Sequence, residues 1–167
     1  MDHVRLVDFP GALLHGIDLI TTRREGRCFR DIPRAWQRAI DNGSLIGLPH
    51  RVSSPLPLFG VVHDVSCVAE QFHYLLGAEV SAQAPAAPAG YRALQLPAGR
   101  YAVWQTEPPT EAGELTSAIM AGWEGLTAWL PSQQLQRAAG PDFEFYDARF
   151  DTAGTLELWL PVEPLLS

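Results

Sequence analysis

A run rich in alanine and proline, residues 82–90, divides the chain into two segments with the same order of expected elements. Such a run cannot fill a core, and it predicts a stiff linker, 82–89, between half-repeats 1–81 and 90–167. Each segment begins with two strand-like stretches around a proline turn, continues with one amphipathic helix and closes with two strands. The repeated order predicts a single α+β domain over residues 1–167, in which an antiparallel sheet carries two main helices.

The two expected helices are recognised by apolar residues at helical spacing. In the first, Asp31 is the expected N-cap, and Ile32, Trp36 and Ile40 form one apolar stripe. In the second, an apolar stripe ends before Pro131, which stops the helix. The closing strands are expected at residues 56–63, 72–80, 143–150 and 155–162.

The charge composition of the chain limits the kinds of molecule that it is expected to bind. The chain has 12 basic residues against 19 acidic ones, and its net charge is -7. Because an acidic chain repels phosphate backbones, we expect no direct binding to nucleic acid, and cationic partners are favoured. The sequence has no signal-peptide pattern and no apolar stretch of the roughly 18 residues that a membrane span requires. With only two cysteines and no CxxC spacing, a reduced, cytoplasmic protein is expected.

Motifs for metals and cofactors are missing. The five histidines are scattered without HxxxH or HExxH spacing, and His63 with Asp64 could ligate a metal only with distant help. The sequence also lacks a GxSxG elbow, a GxGxxG motif and a P-loop. We therefore predict no metal and no cofactor.

The segment of residues 140–147 places one carboxylate among aromatic residues. In a strand, Glu144 and Tyr146 would share one face, and Phe143 and Phe145 the other. A carboxylate beside rings can hold an amphipathic cation, and in an apolar setting it can act as a general base. The alternative is an ordinary solvated residue on the polar face of a strand.

Several of these segments together resemble the GyrI-like small-molecule-binding domains, which also form the effector-binding portion of some AraC-type and MerR-type regulators. The resemblance lies in residues 96–103, 123–131, 140–146 and 158–162, and more loosely in 32–36 and 72–80. It implies a duplicated strand-helix-strand-strand unit with pseudo-twofold symmetry. Because no helix-turn-helix pattern precedes or follows these segments, we expect the stand-alone form of the domain.

The resemblance also implies a ligand groove between the two helices, with a glutamate on its floor at Glu144. The aromatic residues expected to line it are Trp36, Tyr74, Trp123 and Tyr146, with Phe59 and Trp104 as weaker candidates. Thr106 and Pro108 depart from the family pattern, which often has His and then Gly after this strand, so the role of that histidine does not carry over.

Three functions follow from this interpretation. The first is binding of amphipathic, cationic or aromatic small molecules, for sequestration or sensing, as in multidrug binding. The second is hydrolysis of reactive cyclopropane-bearing electrophiles, in which Glu144 is the general base and Tyr146 assists it. The third is inhibition of DNA gyrase by protein–protein contact. We favour non-enzymatic binding because catalysis needs further geometry. A homodimer is an additional hypothesis.

Overall fold

The computed structural model describes residues 3–111 and 113–166, which form two compact units. The central unit is Ala12–Leu96, and the terminal unit comprises the described residues up to Gly11 and from Pro97 onward. Each unit joins one antiparallel set of strands to helix packing on one face. This agrees with the expected α+β class.

The central unit contains four strands and one long helix among its described residues. Their bounds are β2 (Ala12–Thr22), α1 (Cys28–Asp41), β3 (Leu58–Ser66), β4 (Gln71–Glu79) and β5 (Arg92–Leu96). The strands pair in the order β3, β4, β2, β5, all antiparallel. Helix α1 covers one face of this set, where Phe72, Tyr74 and Leu76 form the buried core with Ala39 of the helix.

The terminal unit is built around helix α2. Its described elements are β1 (Val4–Phe9), β6 (Gly99–Gln105), α2 (Glu114–Trp129), β7 (Leu135–Arg137), β8 (Asp142–Tyr146), α3 (Ala148–Ala153) and β9 (Glu157–Pro164). The strands pair in the order β1, β6, β9, β8, and β7 pairs with the end of β9. The apolar residues of α2 pack on a core that includes Ala102, Leu158 and Leu160.

The expected duplication is visible in the order of elements. The run β2, α1, β3, β4 of the central unit repeats as β6, α2, β8, β9 in the terminal unit. In both runs the last strand lies between the other two. Strand β1, which precedes the first run, pairs with β6, the first strand of the second run. Strand β5, which precedes the second run, pairs with β2, the first strand of the first run.

The first helix differs from its sequence prediction. It begins at Cys28, so Asp31 lies inside it, and the Asp31 carboxylate accepts a hydrogen bond of 2.8 Å from the Thr21 hydroxyl. With this start the buried stripe passes through Ile32, Trp36 and Ala39, at the i, i+4, i+7 spacing of one helix face. Ile40 is displaced from that stripe and is 63% exposed, so its predicted place on one stripe with Ile32 and Trp36 is wrong.

The strand predicted over residues 143–150 is also shorter. It ends at Tyr146, because Asp147 caps α3 by accepting a hydrogen bond of 2.9 Å from the Arg149 backbone N–H. An aspartate that satisfies a nearby backbone donor in this way stops a strand ladder and starts a helix. Helix α3 was not predicted.

Across residues 3–111 and 113–166, no helix combines the length and the apolar character that crossing a lipid bilayer requires.

Candidate functional site

Strand register places Glu144 in a row of side chains that crosses the terminal unit. Glu144 pairs with Leu158 of β9, and Leu158 pairs with Trp104 of β6. Trp104 in turn pairs with Val4 of β1. Because directly paired residues project to the same face of a sheet, these four side chains share one face. Leu158 belongs to the core beneath α2, so Glu144 lies on the helix-bearing face.

Tyr146 holds the carboxylate of Glu144. Its hydroxyl donates a hydrogen bond of 2.5 Å to Glu144 Oε2, and both side chains are half-buried. The Tyr146 ring meets Phe150 of α3 edge-on, with ring centroids 5.0 Å apart. Hydrogen bonds from a hydroxyl to an ionised acceptor are short and strong. Glu144 and Tyr146 therefore lie on the same face of β8, as predicted. The Tyr146 side chain is held by the hydrogen bond at its hydroxyl and by the ring contact with Phe150.

Helix α2 approaches this row closely through two glycines. A Cβ at Gly125 would lie 2.6 Å from Trp104 Cζ3, and one at Gly122 would lie 2.5 Å from Leu158 Cδ1. The helix backbone therefore lies directly on Trp104 and Leu158. The Trp104 indole is covered on that side by the helix, and the His3 ring stacks near it at 5.9 Å.

Trp123 is the α2 residue that follows Gly122. It is half-buried and packs against the same apolar core as Tyr146 and Trp104. The terminal unit thus brings together four of the site residues expected from sequence on one face of its sheet: Trp104, Trp123, Glu144 and Tyr146. The acid, the phenol and two indoles share the helix-bearing face.

The opposite face of β8 carries a cluster of aromatic rings. Phe143 is buried and stacks on Trp159, with ring centroids 5.3 Å apart and planes 15° from parallel. Phe9 and Tyr101 complete the cluster. This cluster fixes the orientation of β8, because a slip of one residue would place the Glu144 carboxylate among these rings and remove Phe143 from them.

Asp147 anchors the end of β8. Its carboxylate receives the Arg149 guanidinium at 2.6 Å, and that guanidinium also reaches Glu157 Oε1 at 2.7 Å. The side-chain hydrogen bond from Arg149 lowers the pKa of Asp147 below its ordinary value, although burial opposes this shift. The ion pair therefore stabilises the turn directly after Tyr146.

The central unit brings together two other expected site residues. Trp36 of α1 donates a hydrogen bond of 3.0 Å from its indole N–H to the hydroxyl of Tyr74 on β4. Tyr74 is fully buried and Trp36 is half-buried. Phe59 is buried on the opposite face of these strands from Tyr74. Val62 pairs with Tyr74 and shares its face, and Phe59 lies three residues before Val62 on the same strand, so its side chain projects to the other face.

A cluster of polar residues in the central unit was missed by the sequence analysis. Asp18, His63 and His73 offer ligand atoms that all lie within 4.8 Å of one another. His63 and His73 are directly paired across β3 and β4. The signal was available, since both strands were expected and pairing them as a hairpin brings the two histidines together. The third member, Asp18, depends on the pairing of β2, which spacing alone does not reveal.

Comparisons with known proteins agree with this architecture. A transcriptional regulator of Pseudomonas aeruginosa, BrlR, is 29% identical over 167 residues that cover 96% of this chain and 55% of the regulator. The chain therefore spans about half the length of that relative.

Two solved structures share the fold. SAV2435, solved bound to tetraphenylphosphonium, superposes with a TM-score of 0.73 at 18% identity, covering 98% of this chain and 94% of SAV2435. The integron cassette protein VCH_CASS2 of Vibrio cholerae superposes with a TM-score of 0.65 at 16% identity, covering 97% of each chain.

The family model described as "Cass2: Integron-associated effector binding protein" matches residues 5–162. The predicted resemblance to GyrI-like effector-binding domains is confirmed by this match and by the shared fold. The protein belongs to the Cass2 family of integron-associated effector binding proteins.

Proposed function

We propose that this protein binds amphipathic small molecules, preferentially cationic aromatic ones, at the helix-bearing face of the terminal unit around Glu144. The observation that carries the proposal is a half-buried carboxylate, held by the Tyr146 hydroxyl, on the face that also presents Trp104 and Trp123. Glu144 provides the charge, and the rings provide the apolar contact.

A lipophilic cation suits these groups better than a neutral or anionic molecule. A carboxylate that is partly removed from water gains from an opposite charge, because its own hydration is incomplete. Each cation–π contact adds about 0.5–2 kcal/mol, and burial of apolar ligand surface adds roughly 25 cal/mol per Å². After ordering costs, these contributions are sufficient for micromolar affinity, on the order of 8 kcal/mol.

The comparisons support the same chemistry. The family is described as effector binding, and SAV2435 was solved with tetraphenylphosphonium, which is a lipophilic cation with four phenyl rings. BrlR, which the chain matches over about half of its length, is a transcriptional regulator. For this chain we propose sensing or sequestration of such a compound.

The proposal is tested with two probes of equal shape and opposite charge. Tetraphenylphosphonium and tetraphenylborate are titrated into the protein, and binding is followed by tryptophan fluorescence and by calorimetry. We expect saturable micromolar binding of the cation and at least tenfold weaker binding of the anion. Equal affinities would remove the preference for cations, and no saturable binding of either probe would contradict the proposed function.

The expected ligand contacts of Trp36 and Tyr74, both in the central unit, stay predictions from the resemblance and are tested separately from Glu144. Replacing Trp36 by Leu removes the indole but keeps an apolar side chain on α1. We expect weaker binding of tetraphenylphosphonium, with the fold retained in the circular dichroism spectrum. Unchanged affinity would exclude Trp36 as a ligand contact.

Hydrolysis is the second candidate function, and the Tyr146–Glu144 hydrogen bond favours it. A carboxylate in this setting could take a proton from a water molecule that attacks a strained ring, while the phenol orients the carboxylate. Incubation with a cyclopropane-bearing alkylator, followed by mass spectrometry, tests this reaction. Ring opening no faster than in buffer would exclude it. Gyrase inhibition stays a prediction from the resemblance, and a supercoiling assay tests it.

A further inference from the structure

A second site is carried by the central unit, on the sheet face opposite α1. We propose that Asp18, His63 and His73 form a binding site for a divalent transition-metal ion such as Zn²⁺. This inference does not depend on the proposed function, because its residues differ from those around Glu144.

The three side chains are held by rigid strand pairing. His63 faces His73 across β3 and β4, with ring centroids 5.2 Å apart. Ile20 of β2 pairs with His73, and Asp18 lies two residues before Ile20. Asp18 and His73 therefore project to the same face. Their side chains are 14% and 26% exposed, and that of His63 is 5% exposed. Such a set is largely preorganised and remains reachable from solvent at His73.

The distances fit the entry of one ion. His63 Nε2 lies 2.8 Å from Asp18 Oδ1, and His73 Nδ1 lies 2.6 Å from Asp18 Oδ2. Around a tetrahedral Zn²⁺ with bonds of about 2.0–2.2 Å, donor atoms lie roughly 3.3 Å apart. An opening of about half an ångström, within reach of side-chain rotation, would therefore admit the ion. Two imidazoles and one carboxylate leave the fourth position for solvent.

Asp64 supplies the outer contact that metal-bound histidines usually have. Its Oδ2 lies 3.1 Å from His63 Nδ1, on the far side of the ring from Asp18. A carboxylate in this position fixes the ring and the tautomer of a ligating histidine. The register of β3 and β4 shifts between His63 and Ser66, and Asp64 takes a positive φ of 47°. This bulge redirects the Asp64 side chain towards His63, and bulges of this kind often aim a side chain at a site.

Arg92 brings a positive charge to the same carboxylates. One guanidinium nitrogen lies 2.9 Å from Asp18 Oδ2 and 3.3 Å from His73 Nδ1, and the other lies 2.9 Å from Asp64 Oδ2. The Arg92 side chain is 41% exposed, so it can rotate into solvent. Two carboxylates, Asp18 and Asp64, surround one guanidinium, and this excess of negative charge favours an added cation. We infer that Arg92 and the metal ion compete.

The test uses the tag-free chain and Zn²⁺ titrated in competition with a chromophoric chelator, with Co²⁺ absorption as a second readout. We expect one ion per chain. His73→Gln should weaken binding at least tenfold, because it removes the most exposed ligand. Arg92→Gln should strengthen binding at least tenfold, because it removes a positive charge a few ångströms from the ion. His50→Gln, which replaces an exposed histidine outside the cluster, is the matched control and should change nothing.

Circular dichroism and thermal unfolding of each variant establish that the fold is retained. If His73→Gln does not fold, Asp64→Asn takes its place and should weaken binding about 10- to 100-fold. Absence of one-to-one binding would overturn the inference, and so would binding that the replaced cluster residue leaves unchanged. Unchanged affinity in Arg92→Gln would overturn the competition between Arg92 and the ion.

Discussion

The hydroxyl of Tyr146 donates a hydrogen bond of 2.5 Å to Oε2 of Glu144, two residues earlier on β8. The strand period of two places both side chains on the helix-bearing face, and the edge-on contact with Phe150 fixes the phenol. A carboxylate held in this way has a defined direction, which a ligand can use without ordering the side chain itself.

This hydrogen bond predicts energetic coupling between the two residues. Tyr146→Phe, Glu144→Gln and the double variant form a cycle, with free energies of unfolding measured by urea denaturation. We expect a coupling energy of about 1–2 kcal/mol, since the bond involves a charged acceptor and both groups are half-buried. Single effects that add within about 0.5 kcal/mol would show that the bond contributes little.

The close approach of α2 to Trp104 predicts that Gly125 cannot be enlarged. Gly125→Ala places a Cβ within 2.7 Å of two Trp104 ring atoms, which should destabilise the fold by about 1–3 kcal/mol despite the higher helix propensity of alanine. Ser117→Ala, at an exposed α2 position, is the control and should stay within about 0.5 kcal/mol of wild type. In a Trp104→Leu background the cost of Gly125→Ala should disappear; a cost that persists would contradict this packing.

Two tryptophans of α2 separate ligand contact from core packing. Trp123 and Trp129 are both half-buried against the same core, and we propose ligand contact for Trp123 alone. Trp123→Leu should weaken tetraphenylphosphonium binding about 2- to 30-fold, the worth of one cation–π contact. Trp129→Leu should lower stability and leave affinity unchanged. Equal losses of affinity in both variants would indicate an indirect effect through the helix.

The Asp147–Arg149 pair predicts a defined pH dependence. Because the pKa of Asp147 lies below its ordinary value of 3.8, the pair stabilises the fold above about pH 4, and this contribution is lost as the pH falls through the lowered pKa. Asp147→Asn keeps an oxygen that can cap α3 but removes the charge. Near pH 7 the variant should be about 1 kcal/mol less stable, and the difference should shrink towards pH 3. A difference that is constant with pH would exclude the ion pair as its cause.

Much of the fold could be predicted because the spacing of apolar residues within one helix or strand indicates which of its faces is buried. The apolar stripe predicted before Pro131 is the one that packs on the terminal-unit core, and the alternation around Glu144 gives the two faces of β8. The errors occurred where one polar side chain decides a boundary. Asp31 is predicted as a cap but lies inside α1 and accepts a hydrogen bond from Thr21 of β2, and Asp147 starts a helix inside an expected strand.

The candidate site was predictable only in part for a related reason. Glu144 and Tyr146 are neighbours on one strand, so spacing alone relates them. The row from Glu144 through Leu158 to Trp104 depends on the pairing of three strands that are distant in sequence. The same holds for Asp18, whose partners come from two other strands. Long-range register is not encoded in local spacing, so these relationships required the fold.

The central claim is that the carboxylate of Glu144 attracts a cationic ligand, and the affinity of Glu144→Gln for tetraphenylphosphonium tests it most directly. Calorimetry should show a loss of about 5- to 150-fold, since a charged contact in a half-buried setting is worth about 1–3 kcal/mol. Glu163→Gln, which replaces an exposed acid on β9, should bind as wild type does. A folded Glu144→Gln protein with unchanged affinity for tetraphenylphosphonium would contradict the account.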